Sequence, residues 1–382
     1  MAEILGLGMT HYPLLAGRDE NMAGLLRGTL HDPDIPPEEK DPARWPAAMQ
    51  AEWGDDEGRA AAPGHRAALV ENLDRCRQAV DDFAPDAIVV WGDDQYENFR
   101  EEVVPPFCVL AYDDIDVQPF EVMNEFGNPN AWGLADDMTF TLHGNRSWSR
   151  TLADRLIADG FDMAYSYRKR EGAHFPHAIA NTQLFLDYHH AGREFDVPII
   201  PITVNCYGRH AIARRGGLAR FAEVWQEEAD PSGPTPARCM ELGRAVALAL
   251  AADDRRYVFV ASSSWSHAFL TDKFWHIRPD TTADMALYDA FVAGDYRRWR
   301  RTTGAEIVDA GQHEMLNWFC LLGAMEALGS PLAWSTMVRT DVFNSNKCFA
   351  LFDPVSTDRA GRRSREQVPD RHGAASGCDR PT

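Results

Sequence analysis

Val258-Phe259-Val260-Ala261-Ser262-Ser263-Ser264-Trp265-Ser266-His267-Ala268-Phe269 sets an apolar run against a small, hydroxyl-rich turn that presents a histidine. An uninterrupted run of this kind reads as a strand buried inside a sheet. The serines stop the strand and leave His267 at the edge of that sheet. In open α/β sheets ligands and chemistry collect at that edge, so His267 is a candidate if other groups converge on it.

Other strand exits carry polar groups too. Residues Glu3 to Met9 run into Thr10-His11-Tyr12-Pro13, and Ala87 to Trp91 empty into Gly92-Asp93-Asp94-Gln95-Tyr96-Glu97-Asn98-Phe99. Pro106 to Ala111 is a short strand, and Val197 to Val204 leads to Asn205-Cys206-Tyr207-Gly208. Helical spacing covers Gly64 to Phe83, Ser149 to Asp159, Thr235 to Ala252 and Thr281 to Ala293. Thr235 suits an N-cap and Pro236 the first helical position. Gly311 to Met325 starts polar and turns apolar, a buried helix whose carboxylate, Glu314, sits in its first turn.

This alternation predicts an α/β fold: one large domain over residues 1–355, with a central mixed sheet flanked by helices. Residues 32–56 and 113–146 lack periodicity and are expected to be irregular insertions or a lid. Residues 356–382, rich in Arg, Asp, Gly and Ser, are expected to be a disordered tail. Gly6-Leu7-Gly8 lacks the third glycine of a phosphate-binding loop, which argues against a nucleotide site.

The formal net charge of −20 leaves no basic stripe to neutralise phosphates, so a nucleic-acid partner is not expected. Seven cysteines without CxxC spacing read as reduced, buried thiols, neither a disulfide framework nor a zinc knuckle. No apolar run approaches the ~18 residues of a membrane span, and the N-terminus has no leader pattern. A soluble, cytoplasmic protein is the expectation.

His11, the Gly92–Phe99 loop, His267 and Glu314 make a possible metal constellation. A carboxylate leading into an apolar helix is costly to bury without a cation, whereas the helix dipole alone gives it a structural reading. Two neutral donors and one carboxylate on one face of a divalent metal suit non-haem Fe(II) oxygenases. Zinc hydrolases use similar ligands, and spacing does not choose between them.

Four pieces in order resemble the class III extradiol ring-cleavage dioxygenases, the family of the protocatechuate 4,5-dioxygenase beta subunit. They are the strand ending in Thr10-His11, the segment Pro85 to Phe99, Ser264-Trp265-Ser266-His267, and the helix from Gly311 with Glu314 and Asn317-Trp318. The resemblance spans roughly residues 1–330 and implies a protocatechuate 4,5-dioxygenase beta-subunit-like fold. It also implies an Fe(II)-dependent dioxygenase that opens a catechol-type ring next to, not between, its hydroxyls. A small aromatic substrate, dioxygen and a homo-oligomer come with it.

Residue by residue, the resemblance implies His11, Gln95 and Glu314 as metal ligands, His267 as acid/base and His177 as a hydrogen-bond donor to substrate or oxygen. His174 competes with His177 for that role. Gln95 stands where the family has a histidine. Three readings of that position stay open: Gln95 ligates the metal, Asp94 or His174 or His177 completes the site, or the site is degraded. The alternatives are therefore a same-fold metal enzyme acting on a non-catecholic substrate, by hydrolysis or C–C cleavage, or a non-catalytic partner subunit. Tyr12, Tyr96 and Trp265 are candidate pocket walls, and His189, His190 and His313 read as surface or structural residues.

Overall fold

Strands β1 (Glu3–Met9), β2 (Ala87–Asp93), β7 (Ile199–Val204) and β8 (Arg256–Ser262) are buried at all but their first residues or throughout, as their apolar runs require. They lie side by side in the order β7-β2-β8-β1, every pair parallel. Their C-terminal ends therefore open on one edge. Register places Met9 beside Ser262 and Asp93 beside Val204, so four strand exits meet there.

The computed structural model describes residues 2–125, 127–212 and 229–356. Four further strands complete an eight-stranded mixed sheet: β3 (Phe107–Leu110) and β6 (Ala164–Ser166) on one side, β9 (Leu332–Val338) and β10 (Lys347–Ser356) on the other. β10 runs antiparallel to β1, and β3 antiparallel to β7. The anticipated α/β sheet with flanking helices is what the chain forms, and β6, β9 and β10 add to the strands read from sequence. Ser356, placed in the expected tail, ends β10; residues 357–382 lie outside the described residues.

Helices cover both faces, which is why the central strands carry no polar alternation. One face packs α1 (Ala62–Phe83) and α3 (His177–Leu186). The other packs α2 (Arg146–Ala158), α4 (Pro236–Ala251), α5 (Thr281–Val292) and α6 (Leu316–Leu328). At α4 the Thr235 hydroxyl accepts from the Arg238 N–H and Pro236 opens the helix, as its sequence suggests. α4 and α6 touch backbone to backbone: a Cβ on Gly243 would collide with the Cys320 carbonyl, and one on Gly323 with that of Met240. Gly8 leaves room for the Trp318 ring and Gly6 for Met325, so the Gly-Leu-Gly of β1 serves helix packing.

The two segments read as irregular are partly ordered. Within 32–56 a helix spans Ala47–Trp53, burying Met49 and Trp53. Within 113–146, β4 (Ile115–Val117) pairs with β5 (Phe140–Leu142) as a separate two-stranded ribbon.

Candidate metal centre and substrate cavity

His11 leaves the end of β1 with its imidazole already oriented. Its Nδ1–H donates to the Ser262 carbonyl at 2.8 Å, which fixes the tautomer and turns the Nε2 lone pair inward. The Asn181 amide donates to the His11 carbonyl at 2.9 Å, tying the turn to α3. The serine turn after β8 is fixed as firmly. Ser264 and Thr10 hydroxyls share a bond of 2.7 Å, and the Trp318 indole N–H donates to the Ser263 carbonyl.

Three donor atoms, one each from His11, Asp93 and Glu314, lie within 4.8 Å of one another, all buried. Glu314 Oε2 is 3.3 Å from His11 Nε2 and 3.2 Å from His267 Nε2. Asp93 Oδ1 is 3.8 Å from His11 Nε2, while Asp93 Oδ2 is buried with no hydrogen-bond partner. Glu314 occupies the 3-10 turn His313–Met315 just before α6, and its Oε1 accepts from the Tyr207 hydroxyl at 2.8 Å. Burial opposes charge on Glu314, but His267 and His11 hold its pKa well below the usual carboxylate range. Burial, reinforced by Glu314, pushes Asp93 up to about 6. Burial also opposes a charged His11, yet Glu314 and Asp93 raise its pKa above the ordinary value.

Two carboxylates beside an inward imidazole nitrogen, each with one buried oxygen that accepts no hydrogen bond, form a set that a divalent cation would neutralise.

Gln95 lines the same cavity as His11 and Glu314, and its amide nitrogen donates to the Tyr207 hydroxyl. Asp94 is committed to its own loop: its carboxylate accepts from the N–H groups of Glu97, Asn98 and Phe99. His174 pairs through Nδ1 with Glu121 at 2.7 Å. His177 begins α3, lines the cavity and stands edge-on to His11, with ring centroids 5.0 Å apart. Glu97 grips it twice, accepting from its backbone N–H at 3.1 Å and from Nδ1–H at 2.9 Å. Burial lowers the His177 pKa, but Glu97 outweighs it and takes the imidazole up to about 9.

Asp93, Glu97 and Tyr207 escape a reading of the sequence. Asp93 closes a fully buried strand and Tyr207 follows another, so position at a strand end was their only signal. Of the expected walls, Tyr12 lines the cavity, Trp265 is buried among Trp299 and Trp318, and the Tyr96 hydroxyl donates to Glu101. His313 stacks on Tyr207 from behind, with centroids 6.1 Å apart.

The cavity has a volume of about 290 Å³, at the small end for ligand sites. Tyr12, Pro13, Leu14, Leu25, Met123 and Phe269 give it an apolar lining around the polar groups.

A family model, the catalytic LigB subunit of aromatic ring-opening dioxygenase, matches residues 223–351. Among curated proteins, a 2,3-dihydroxyphenylpropionate/2,3-dihydroxicinnamic acid 1,2-dioxygenase of Rhodococcus jostii is 28% identical over 195 residues, 51% of this chain and 48% of that protein. The protein of that name from Comamonas testosteroni is 28% identical over 201 residues, 52% and 49% of the two chains. That from Burkholderia vietnamiensis is 25% identical over 307 residues, 69% and 82%. The chain thus spans about half the length of the first two relatives. Among the described residues no helix is long and apolar enough to cross a membrane.

Proposed function

We propose that this chain, which carries the LigB-type match and an α/β fold consistent with it, is an Fe(II)-dependent extradiol dioxygenase whose metal is held by His11, Asp93 and Glu314. The observation that carries the reading is the buried cluster at the C-terminal edge of the parallel strands, opening into a small apolar cavity. The similarity to dioxygenases named for dihydroxyphenyl substrates supports a catechol-type substrate. The catalytic domain is taken as residues 1–355.

When bound, Fe(II) would supply open coordination positions at which a catecholate and dioxygen come together. His11 presents a lone pair because Ser262 occupies its other nitrogen. Glu314 stays ionised because two imidazoles face it and Tyr207 donates to it. Tyr207 in turn receives the Gln95 amide, so Gln95 orients the carboxylate ligand through one intervening hydroxyl.

His267 is the acid/base. Its backbone N–H is held by the Gly311 carbonyl, its Nε2 faces Glu314, and its Nδ1 has no protein partner. It takes the proton from a substrate hydroxyl and returns it as the ring opens. His177, kept protonated by Glu97, donates to the substrate or to oxygen from across the cavity. Phe269, Leu25, Met123 and Pro13 exclude water, which strengthens each of these interactions.

Anaerobically iron-loaded protein mixed with a panel of catechols, gallates and aminophenols in an oxygen electrode tests the reading. Oxygen uptake with a yellow ring-opened product is expected. Turnover that proceeds equally well without oxygen, or with zinc, would replace it with hydrolytic or other C–C cleaving chemistry on this fold.

A further inference from the structure

The cavity wall says more about the substrate than its chemical class. Beyond the metal cluster, its polar lining includes the carboxamides Asn21, Asn128 and Asn344. Asn21 donates to Asn128 at 2.7 Å, which joins two separate segments of the wall. The Asn344 carboxamide oxygen is buried and accepts no hydrogen bond from the protein. Asn344 sits with positive φ in the turn before β10, and its backbone carbonyl accepts from Ala268, beside His267. An acceptor buried without a donor costs stability unless a ligand supplies one.

Cations near this wall are turned to other work. Arg27 donates to the Glu20 and Glu57 carbonyls, and Arg66 to Asp19, Tyr188 and the carbonyls of Leu15 and Gly17. Lys347 is enclosed behind Tyr12, with Nζ 3.7 Å from the ring centroid and donating to the Phe343 carbonyl. Among the described residues lining the cavity there is no lysine or arginine, and Glu314 lies in its wall. The charge of His177, the cationic imidazole of this lining, is already met by Glu97, so a carboxylate on the substrate would find no free cation to pair with and would offer the Asn344 oxygen no donor.

We infer that the cavity selects an aromatic diol whose ring substituent is uncharged, with the Asn344 and Asn128 amides receiving that substituent by hydrogen bonds. The inference rests on the proposed function, since it concerns the same cavity. A buried amide wall distinguishes neutral donors from anions more sharply than it distinguishes apolar chain lengths.

The test compares three compounds of equal length: 2,3-dihydroxyphenylpropionate, its primary amide and the corresponding propanol. Dissociation constants are measured by anaerobic calorimetry on iron-loaded protein, and kcat/KM by oxygen uptake. The amide and the alcohol are expected to bind at least about tenfold more tightly than the acid at pH 7.5, the scale of one unpaired buried polar group. Leu25→Arg, which adds a cation to the wall, is expected to raise affinity for the acid and not for the amide. Equal or tighter binding of the acid by the unmodified protein overturns the inference. Selective binding without oxygen uptake upholds it and overturns ring opening instead, and failure of all three diols to bind overturns both.

Discussion

The Tyr207 hydroxyl donates to Glu314 Oε1 at 2.8 Å, which leaves Oε2 of the same carboxylate facing His11 and His267. One oxygen is thus held by the protein and the other is the one assigned to the metal in the proposed function. Groups that orient a ligand in this way commonly contribute 10–100-fold to metal affinity. Tyr207→Phe is accordingly expected to weaken Fe(II) binding by roughly 10-fold or more while keeping the fold. Competition with a chromophoric chelator measures it, and unchanged affinity would mean that Glu314 is positioned without Tyr207.

Asp93 and Gln95 make opposite predictions. Asp93 brings a carboxylate to the cluster, whereas the Gln95 amide bonds to the Tyr207 hydroxyl that holds Glu314. Asp93→Asn should lower iron retained after desalting to near background. Gln95→Ala should keep most of the iron and lose part of kcat. The reverse pattern in metal analysis would restore Gln95 as the ligand.

Asp284 fastens the two segments that carry His267 and Glu314. Fully buried, it accepts from the Ser266 N–H at 3.1 Å, from Gln312 Nε2 at 2.7 Å and from Asn346 Nδ2 at 2.8 Å. Ser266 precedes His267, and Gln312 lies two residues before Glu314. Asp284→Ala leaves several buried donors without a partner, a loss of about 2–4 kcal/mol. Urea unfolding should show that loss, with kcat reduced beyond it because His267 and Glu314 lose their common anchor.

The Glu97–His177 pair predicts a pH-dependent stability. The His177 pKa stands at about 9 in the folded chain against an ordinary 6.5. A raised folded pKa means that the contribution is full below the unfolded value and is lost as pH rises through the folded one. In metal-free protein, the melting-temperature difference between the unmodified chain and Glu97→Gln should be largest below pH about 6.5 and should vanish above about 9. A difference that is flat between those limits would show that Glu97 does not hold a proton on His177.

Much of this site was legible because its elements are chemically extreme. The strands bearing His11 and His267 are almost wholly apolar until they stop, so their exits announce themselves. Glu314 stands out against the apolar α6. Asp93 does not, because it is the last residue of a buried strand and is followed by a second aspartate of quite different use. β9 was hidden because none of its residues is buried and all but Ala333 are of intermediate exposure, which gives neither alternation nor a buried run. β10 changes from buried to exposed halfway, so neither pattern lasts its length. Tyr207 lies 107 residues from Glu314, and only the parallel register of β7 with β2 brings it to the cluster.

The most direct test of the central claim is a turnover with heavy-isotope dioxygen. Iron-loaded protein and a neutral 3-substituted catechol are mixed under the labelled gas, and the product mass is read by mass spectrometry. Incorporation of both labelled atoms into a ring-opened product, lost in His267→Ala and in Asp93→Asn, is the predicted result. A product that carries no labelled oxygen, or iron-bound protein that consumes none with any catechol, would contradict it.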